Sequence, residues 1–223
     1  MQVFDYASYA VFKWSDMKMI LKATGVTLEV TLLSLLFGTL LGLVLGLIRC
    51  SRNRVVSVLP LIVMEPLRNS PLLVQLFLVY YGLPSMGIRF DNFTASVLTL
   101  SLNTAAFFGV LVHASIQGVP RAQWEAGLAL GHNRFNVYTR IIARQAFRLL
   151  IPQAITLYIS QLQCSSLVSL VSLMDLTKAG QVVAQKTLLP FIVFGIVAGL
   201  YYVISFPLAR LSEYLERRTG FNY

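Results

Sequence analysis

"QWEAGLALGHNRFNVYTRIIARQAFRLLIPQ", Gln123 to Gln153, is charged where the rest of the chain is oily. Glu125, Arg134, Arg140, Arg144 and Arg148 crowd into it, and Gly131 interrupts it. Pro120, just upstream, suits a first helical position, and Gly131 suits the cap that ends a short helix. A second helix is expected from about Asn136, with Arg140, Arg144 and Arg148 on one face at four-residue spacing. Two short helices joined at a glycine make either a docking surface for another protein or a solvated loop whose arginines snorkel to lipid phosphates. Periodicity alone does not choose between them.

The composition around this stretch sets the class. The chain has 223 residues, 57% of them hydrophobic and 12% charged, with a mean hydropathy of +0.71. An average soluble domain is about one quarter charged, so the reading is a membrane protein. The net charge of +9 would point to nucleic acid in a soluble protein, but this chain has no soluble face for a basic patch interleaved with aromatics. Cys50 and Cys164 lie far apart, which gives neither a metal-ligand spacing nor a disulfide framework. The opening residues do not read as a secretory signal, because Asp5 stands where a basic region belongs and no apolar core precedes Lys13. Phe4, Tyr6, Tyr9, Phe12 and Trp14 suit either a segment lying at a membrane interface or a frayed end.

A spanning helix needs about 20 mostly apolar residues. Four uncharged stretches qualify: Val30 to Ile48, Asn92 to Pro120, Leu149 to Met174 and Thr187 to Ala209. Gly38, Gly42 and Gly46 recur every fourth residue in the first, a small-residue face for close helix packing. A further span, Val55 to Leu83, is interrupted by "EPLRNSP", so Glu65 and Arg68 are expected near mid-membrane and Pro71 to break the helix. The expectation is an all-α integral membrane protein of five transmembrane helices, the second broken, forming one domain over residues 1–223. Eleven arginines (Arg49, Arg52, Arg54, Arg121, Arg134, Arg140, Arg144, Arg148, Arg210, Arg217, Arg218) fall on one side of that topology. Lys13, Lys18, Lys22, Arg89, Lys178 and Lys186 fall on the other. The excess puts the C-terminus in the cytoplasm and the N-terminus outside.

"EAGLALG" followed by "RQAFRLLIPQ" resembles the EAA motif of permease subunits of ATP-binding cassette importers. Glu125, Ala126, Gly131, Ile151 and Pro152 match that motif, and Gly127 replaces its second alanine. "EPLRNSPLLVQLFLVYYGLP" and "SSLVSLVSLMDLTKAGQ" are similar to segments of the polar amino acid permeases, with Ser70 where threonine is common. The resemblance implies a type I importer core with cytoplasmic coupling helices, in a bacterial inner membrane and in contact with its lipid. It implies a second permease subunit, a cytoplasmic ATPase dimer and a periplasmic or extracellular solute-binding protein. ATP and magnesium would belong to the ATPase, and no cofactor to this chain. Glu125, Ala126, Gly127, Gly131 and Pro152 are then the ATPase-coupling residues.

The substrate path is sought among polar residues in the spans. An uncompensated charge at the bilayer centre costs about 2.5–3.5 kcal/mol on insertion scales. Glu65 and Arg68, three residues apart, either pair only with each other or form a polar cavity wall, since broken helices at membrane depth mainly line cavities. Asn69, Ser70 and Gln75 belong to the same wall. Gln161, Gln163, Ser165 and Ser166 form a second cluster, which either bonds between helices or meets substrate. Many relatives have lysine where Gln163 stands. Asn103 and His113 read as packed polar residues, and Glu29 as facing headgroups or a helix interface. No Ser-His-Asp order, HExxH, catalytic carboxylate pair or phosphate-binding glycine loop occurs. The expected function is uptake of polar or cationic amino acids or related compounds. The alternative is a self-sufficient carrier or channel that uses Glu65 and Arg68 for ion coupling.

Overall fold

The computed structural model describes residues 11–219; Phe4, Tyr6 and Tyr9 of the aromatic opening stretch lie outside them. Helix α1 (Trp14–Arg49) and helix α4 (Asn92–Gln117) form the central seam. A Cβ added at Gly38, Gly42 or Gly46 would meet the carbonyl oxygens of Ser101, Ala105 and Gly109 at 2.8, 2.7 and 2.6 Å. The expected glycine face is therefore real, and the two helices run parallel, backbone on backbone. The other face of α1 exposes Leu32, Leu36, Phe37, Leu40, Leu43, Val44 and Leu47, an apolar belt facing away from the bundle.

The second span is broken, as expected. Helix α2 (Arg54–Asn69) and helix α3 (Leu72–Phe77) are bent by 105° at Ser70–Pro71. Pro71 has no N–H for the helical ladder, and Pro60 and Pro66 already weaken α2. Helix α3 loosens through a π turn (Leu78–Gly82) into a 3-10 turn (Leu83–Met86). Glu65 and Arg68 thus lie in the last turns of α2, just before the break.

Helix α5 (Arg121–Ala129) follows α4, with Pro120 as its N-cap, one residue outside the expected first position. The second helix is not short. Helix α6 (Arg134–Asn136) passes through a π turn (Val137–Ile142) into helix α7 (Ala143–Cys164), because nothing in that run breaks the backbone bonding. Arg140, Arg144 and Arg148 are exposed along it. Helix α7 lies antiparallel to α4 through Phe108–Tyr158 ring stacking and through contacts of Val112 with Ala154. A 3-10 stretch (Ser165–Val171) then leads to helix α8 (Leu176–Thr187).

Asp175 caps α8, its carboxylate accepting from the amides of Thr177 and Lys178. It is fully buried, and burial pushes its carboxyl up to about 6. Helix α8 packs Leu176, Ala179 and Val183 on Ile20 and Ala23 of α1, and Lys186 ties to Asp16 at 2.6 Å. Helix α9 (Pro190–Thr219) returns antiparallel to α7, where Ser212 donates to the Pro152 carbonyl at 3.0 Å. Among the described residues four helices are long and apolar enough to cross a membrane, and the bent α2–α3 pair passes the same test together, making up to five. This alternation brings the ends of α1, α4 and α9, with their arginines, to one end of the molecule.

Candidate functional site

Helix α5 sits at that arginine-rich end. Its Trp124 packs against Tyr138, and Val119, Val137, Ile142 and Ala146 form a small core beneath it. Gly127 is the buried residue of α5, and a Cβ there would lie 2.9 Å from Ile141 and 3.0 Å from Val137. The glycine that replaces the expected alanine lets α5 lie directly on the start of α7. At the C-terminal end the His132 amide bonds to the Gly127 carbonyl at 3.3 Å, and the Gly131 amide to that of Leu128 at 3.0 Å. Gly131 has φ +80, the left-handed conformation this cap requires. Glu125 and Ala126 are exposed beside Leu128, Leu130 and Phe135. Pro152 is buried lower in α7, and its carbonyl accepts from Thr156 and Ser212. These five residues therefore lie on two packed elements, with Glu125 outward and Gly127 and Pro152 inward.

The polar residues of the spans resolve into three sets. The first ends α2. Arg68 Nη1 donates to Glu65 Oε1 at 3.1 Å, and Asn69 Nδ2 donates to Glu65 Oε2 at 2.9 Å. The Glu65 side chain remains 46% exposed, so the pair is accessible. The Arg68 guanidinium also lies 5.7 Å from the ring centre of Phe107 on α4. The second set closes the bend. Ser70 Oγ donates to the Pro66 carbonyl, and Gln75 Nε2 donates to the carbonyls of Leu67 and Ser70 and to Ser70 Oγ. From there a buried amide chain crosses the molecule. Asn103 Nδ2 donates to Gln75 Oε1 at 3.4 Å, and Gln161 Nε2 donates to Asn103 Oδ1 at 2.9 Å. Gln161 Oε1 is buried without a partner among the described residues. Asn103 thus links residues that the sequence placed in separate clusters; an isolated asparagine in an apolar span was the available signal.

The third set straddles the end of α7 and the 3-10 stretch that follows it. Ser165 is buried and donates to the Leu162 carbonyl at 2.7 Å, whereas Gln163 is exposed and Ser166 half-buried beside α9. His113 Nδ1 lies 3.4 Å from Cys50 Sγ, a packed polar contact at the end of α1. No group of three metal-ligating side chains occurs among the described residues.

Known proteins resemble this arrangement along most of its length. The L-cystine transport system permease protein TcyB of Bacillus subtilis is 34% identical over 193 residues, covering 86% of this chain and 82% of the relative. The probable glutamine ABC transporter permease protein GlnM of the same organism is 35% identical over 159 residues, covering 71% and 74%. A crystal structure of an amino acid ABC transporter with histidines superposes with a TM-score of 0.86 at 30% identity, over 98% of this chain and all of that one. The MetNI methionine ABC transporter shares the fold at 20% identity, with a TM-score of 0.71. Residues 38–221 match the family of binding-protein-dependent transport system inner membrane components, and this chain belongs to that family.

Proposed function

We propose that this chain forms the translocation path of an ATP-driven importer for amino acids or amino-acid-derived compounds. Helix α5 carries the reading: it bears an exposed carboxylate and uncovered apolar side chains, and its buried face rests on the start of α7. A push on α5 therefore reaches a helix that continues to the amide chain in the membrane. The chain has no phosphate-binding glycine loop, so ATP and magnesium belong to a separate ATPase pair that docks on α5. A second permease subunit and a solute-binding protein on the opposite face complete the assembly. Residues 1–223 act as one permease domain, in which Glu125, Ala126, Gly127, Gly131 and Pro152 couple to the ATPase. Glu65, Arg68, Asn69, Ser70, Gln75, Gln161, Gln163, Ser165 and Ser166 line the path, with Asn103 joined to them. The arginine-rich end faces the cytoplasm and the N-terminus lies outside.

Copurification of the ATPase subunit with Glu125→Ala and Gly131→Arg variants tests the docking role. Both should lose ATPase and transport while the membrane helices stay folded, since a carboxylate makes charge-assisted bonds to its partner and Gly131 alone tolerates its φ. Full retention of both activities removes α5 from the coupling path. Transport by the purified chain without any ATPase would establish a self-sufficient carrier instead. Cysteine labelling at Ser51 and Gly87 should report opposite membrane faces.

A further inference from the structure

Gln163 of α7 and Ser166 of the 3-10 stretch that follows it, with Ala198, Tyr201, Tyr202 and Ser205 of α9, line a cavity of about 410 Å³. Small-molecule sites run from about 300 to 1,000 Å³, so a free amino acid fits. Two features mark the cavity as built for a polar ligand. Ser205 is only 9% exposed, and its Oγ has no hydrogen-bond partner among the described residues. A buried hydroxyl left unpaired is costly, and a ligand atom can satisfy it. Tyr201 is fixed from behind, its phenolic oxygen 3.2 Å from Thr177 Oγ1 on α8, so that its ring is already placed before anything binds.

The chemistry of the lining restricts the ligand. It offers one amide, hydroxyls and two aromatic faces, and no carboxylate, ammonium or guanidinium. The ammonium of a zwitterion can be met by hydroxyl oxygens and ring faces, and its carboxylate by the Gln163 amide and hydroxyl donors. A third charge, on the ligand's side chain, would find no counter-ion there and would lose its hydration uncompensated. Glu65 and Arg68 are already engaged with each other on α2. We propose that this cavity binds amino acids with uncharged side chains and disfavours those with a net charge. The proposal rests on the reading of this chain as an amino acid importer subunit and narrows it.

The test uses the complete permease–ATPase complex in nanodiscs, without binding protein, and radiolabelled L-glutamine, L-arginine and L-glutamate as probes. L-glutamine should bind at least about tenfold more tightly than either charged probe. Gln163 is exposed, so Gln163→Glu should leave the fold intact and shift the arginine-to-glutamine ratio about tenfold or more toward arginine, through a charge-assisted bond. Ser166→Asp, on the same wall, should shift it in the same direction, and Ser205→Ala should weaken L-glutamine binding about threefold to tenfold. Arginine binding as tight as glutamine in the wild type overturns the proposal. So does an unchanged ratio in the assembled acidic variants. Uptake of amino acids by cells carrying the whole system, with no binding by the isolated complex, also removes this cavity while leaving the importer reading in place. No uptake of any amino acid by those cells sinks the importer reading, and this proposal with it.

Discussion

The α1–α4 seam and the α2–α3 bend occupy neighbouring parts of the same molecule and are built on opposite rules. Along the seam three glycines bring backbones into contact, and the helices run unbroken for 36 and 26 residues. Across the bend two prolines lie inside α2, the chain turns by 105°, and α3 unwinds through a π turn. The seam is held by close packing, which admits one arrangement. The bend is held by side-chain hydrogen bonds from Ser70, Gln75 and Asn103, which can exchange partners when helices shift. The difference teaches that close backbone packing fixes the seam, whereas the bend relies on side-chain hydrogen bonds that stand in for interrupted backbone bonding.

The sharpest way to break that contrast is to overfill the seam. Gly42→Leu would drive a side chain into the Ala105 carbonyl and Phe108, and should cost about 3 kcal/mol or more, read as lost folded yield and a lowered melting midpoint. Gly25→Ala, on the same helix with nothing near its Cβ, should be neutral or stabilising by up to about 1 kcal/mol. Equal effects of the two would dissolve the seam as a distinct region.

The amide chain comes next. Asn103→Leu removes the hydrogen-bond partner of Gln75 Oε1 and Gln161 Nε2 and should cost about 1–3 kcal/mol in thermal or denaturant melts. Gln161→Leu should cost less, because its Oε1 already lacks a partner among the described residues. Equal costs would mean that the chain does not act as a connected unit.

Asp175 gives a smaller effect, outside both regions. Its folded carboxyl sits at about 6 and its unfolded value near 3.8, so the folded state holds the extra proton between them. Stability from this group is therefore greatest at low pH and falls as pH rises through about 4 to 6. Wild type should gain about 1 kcal/mol between pH 7 and pH 5 relative to Asp175→Asn, which keeps the helix cap but does not titrate. Parallel pH profiles of the two proteins would show that the buried carboxylate carries no such linkage.

The smallest stability effect belongs to Glu65 and Arg68. The pair is partly exposed, so the double change to Gln should alter the melting free energy by no more than about 1 kcal/mol. Transport should nonetheless fall. Wild-type uptake with unaltered selectivity would make the pair purely structural.

Much of this architecture was legible in the chain because its signals are local. Uncharged runs of about twenty residues, glycines at four-residue spacing and Pro71 each act through neighbouring backbone. Gly131 was readable for the same reason, since only a glycine cap explains it where the charged stretch turns. The extent of α7 was not, because the π turn over Val137–Ile142 carries the helix through a stretch whose charges suggested a separate short element. The division among Gln161, Gln163, Ser165 and Ser166 was equally hidden, because spacing alone does not say which neighbours a helix meets.

By itself, then, the sequence determined the membrane class, the broken span and the short capped helix, all set by hydropathy and backbone chemistry within a few residues. Only the tertiary structure decided that Asn103 joins Gln75 to Gln161, that Gly127 seats α5 on α7, and that Tyr201 and Ser205 complete a cavity with Gln163. Those partners lie from ten to nearly sixty residues apart along the chain. Their meeting depends on the order and direction in which helices pack, which no local pattern encodes.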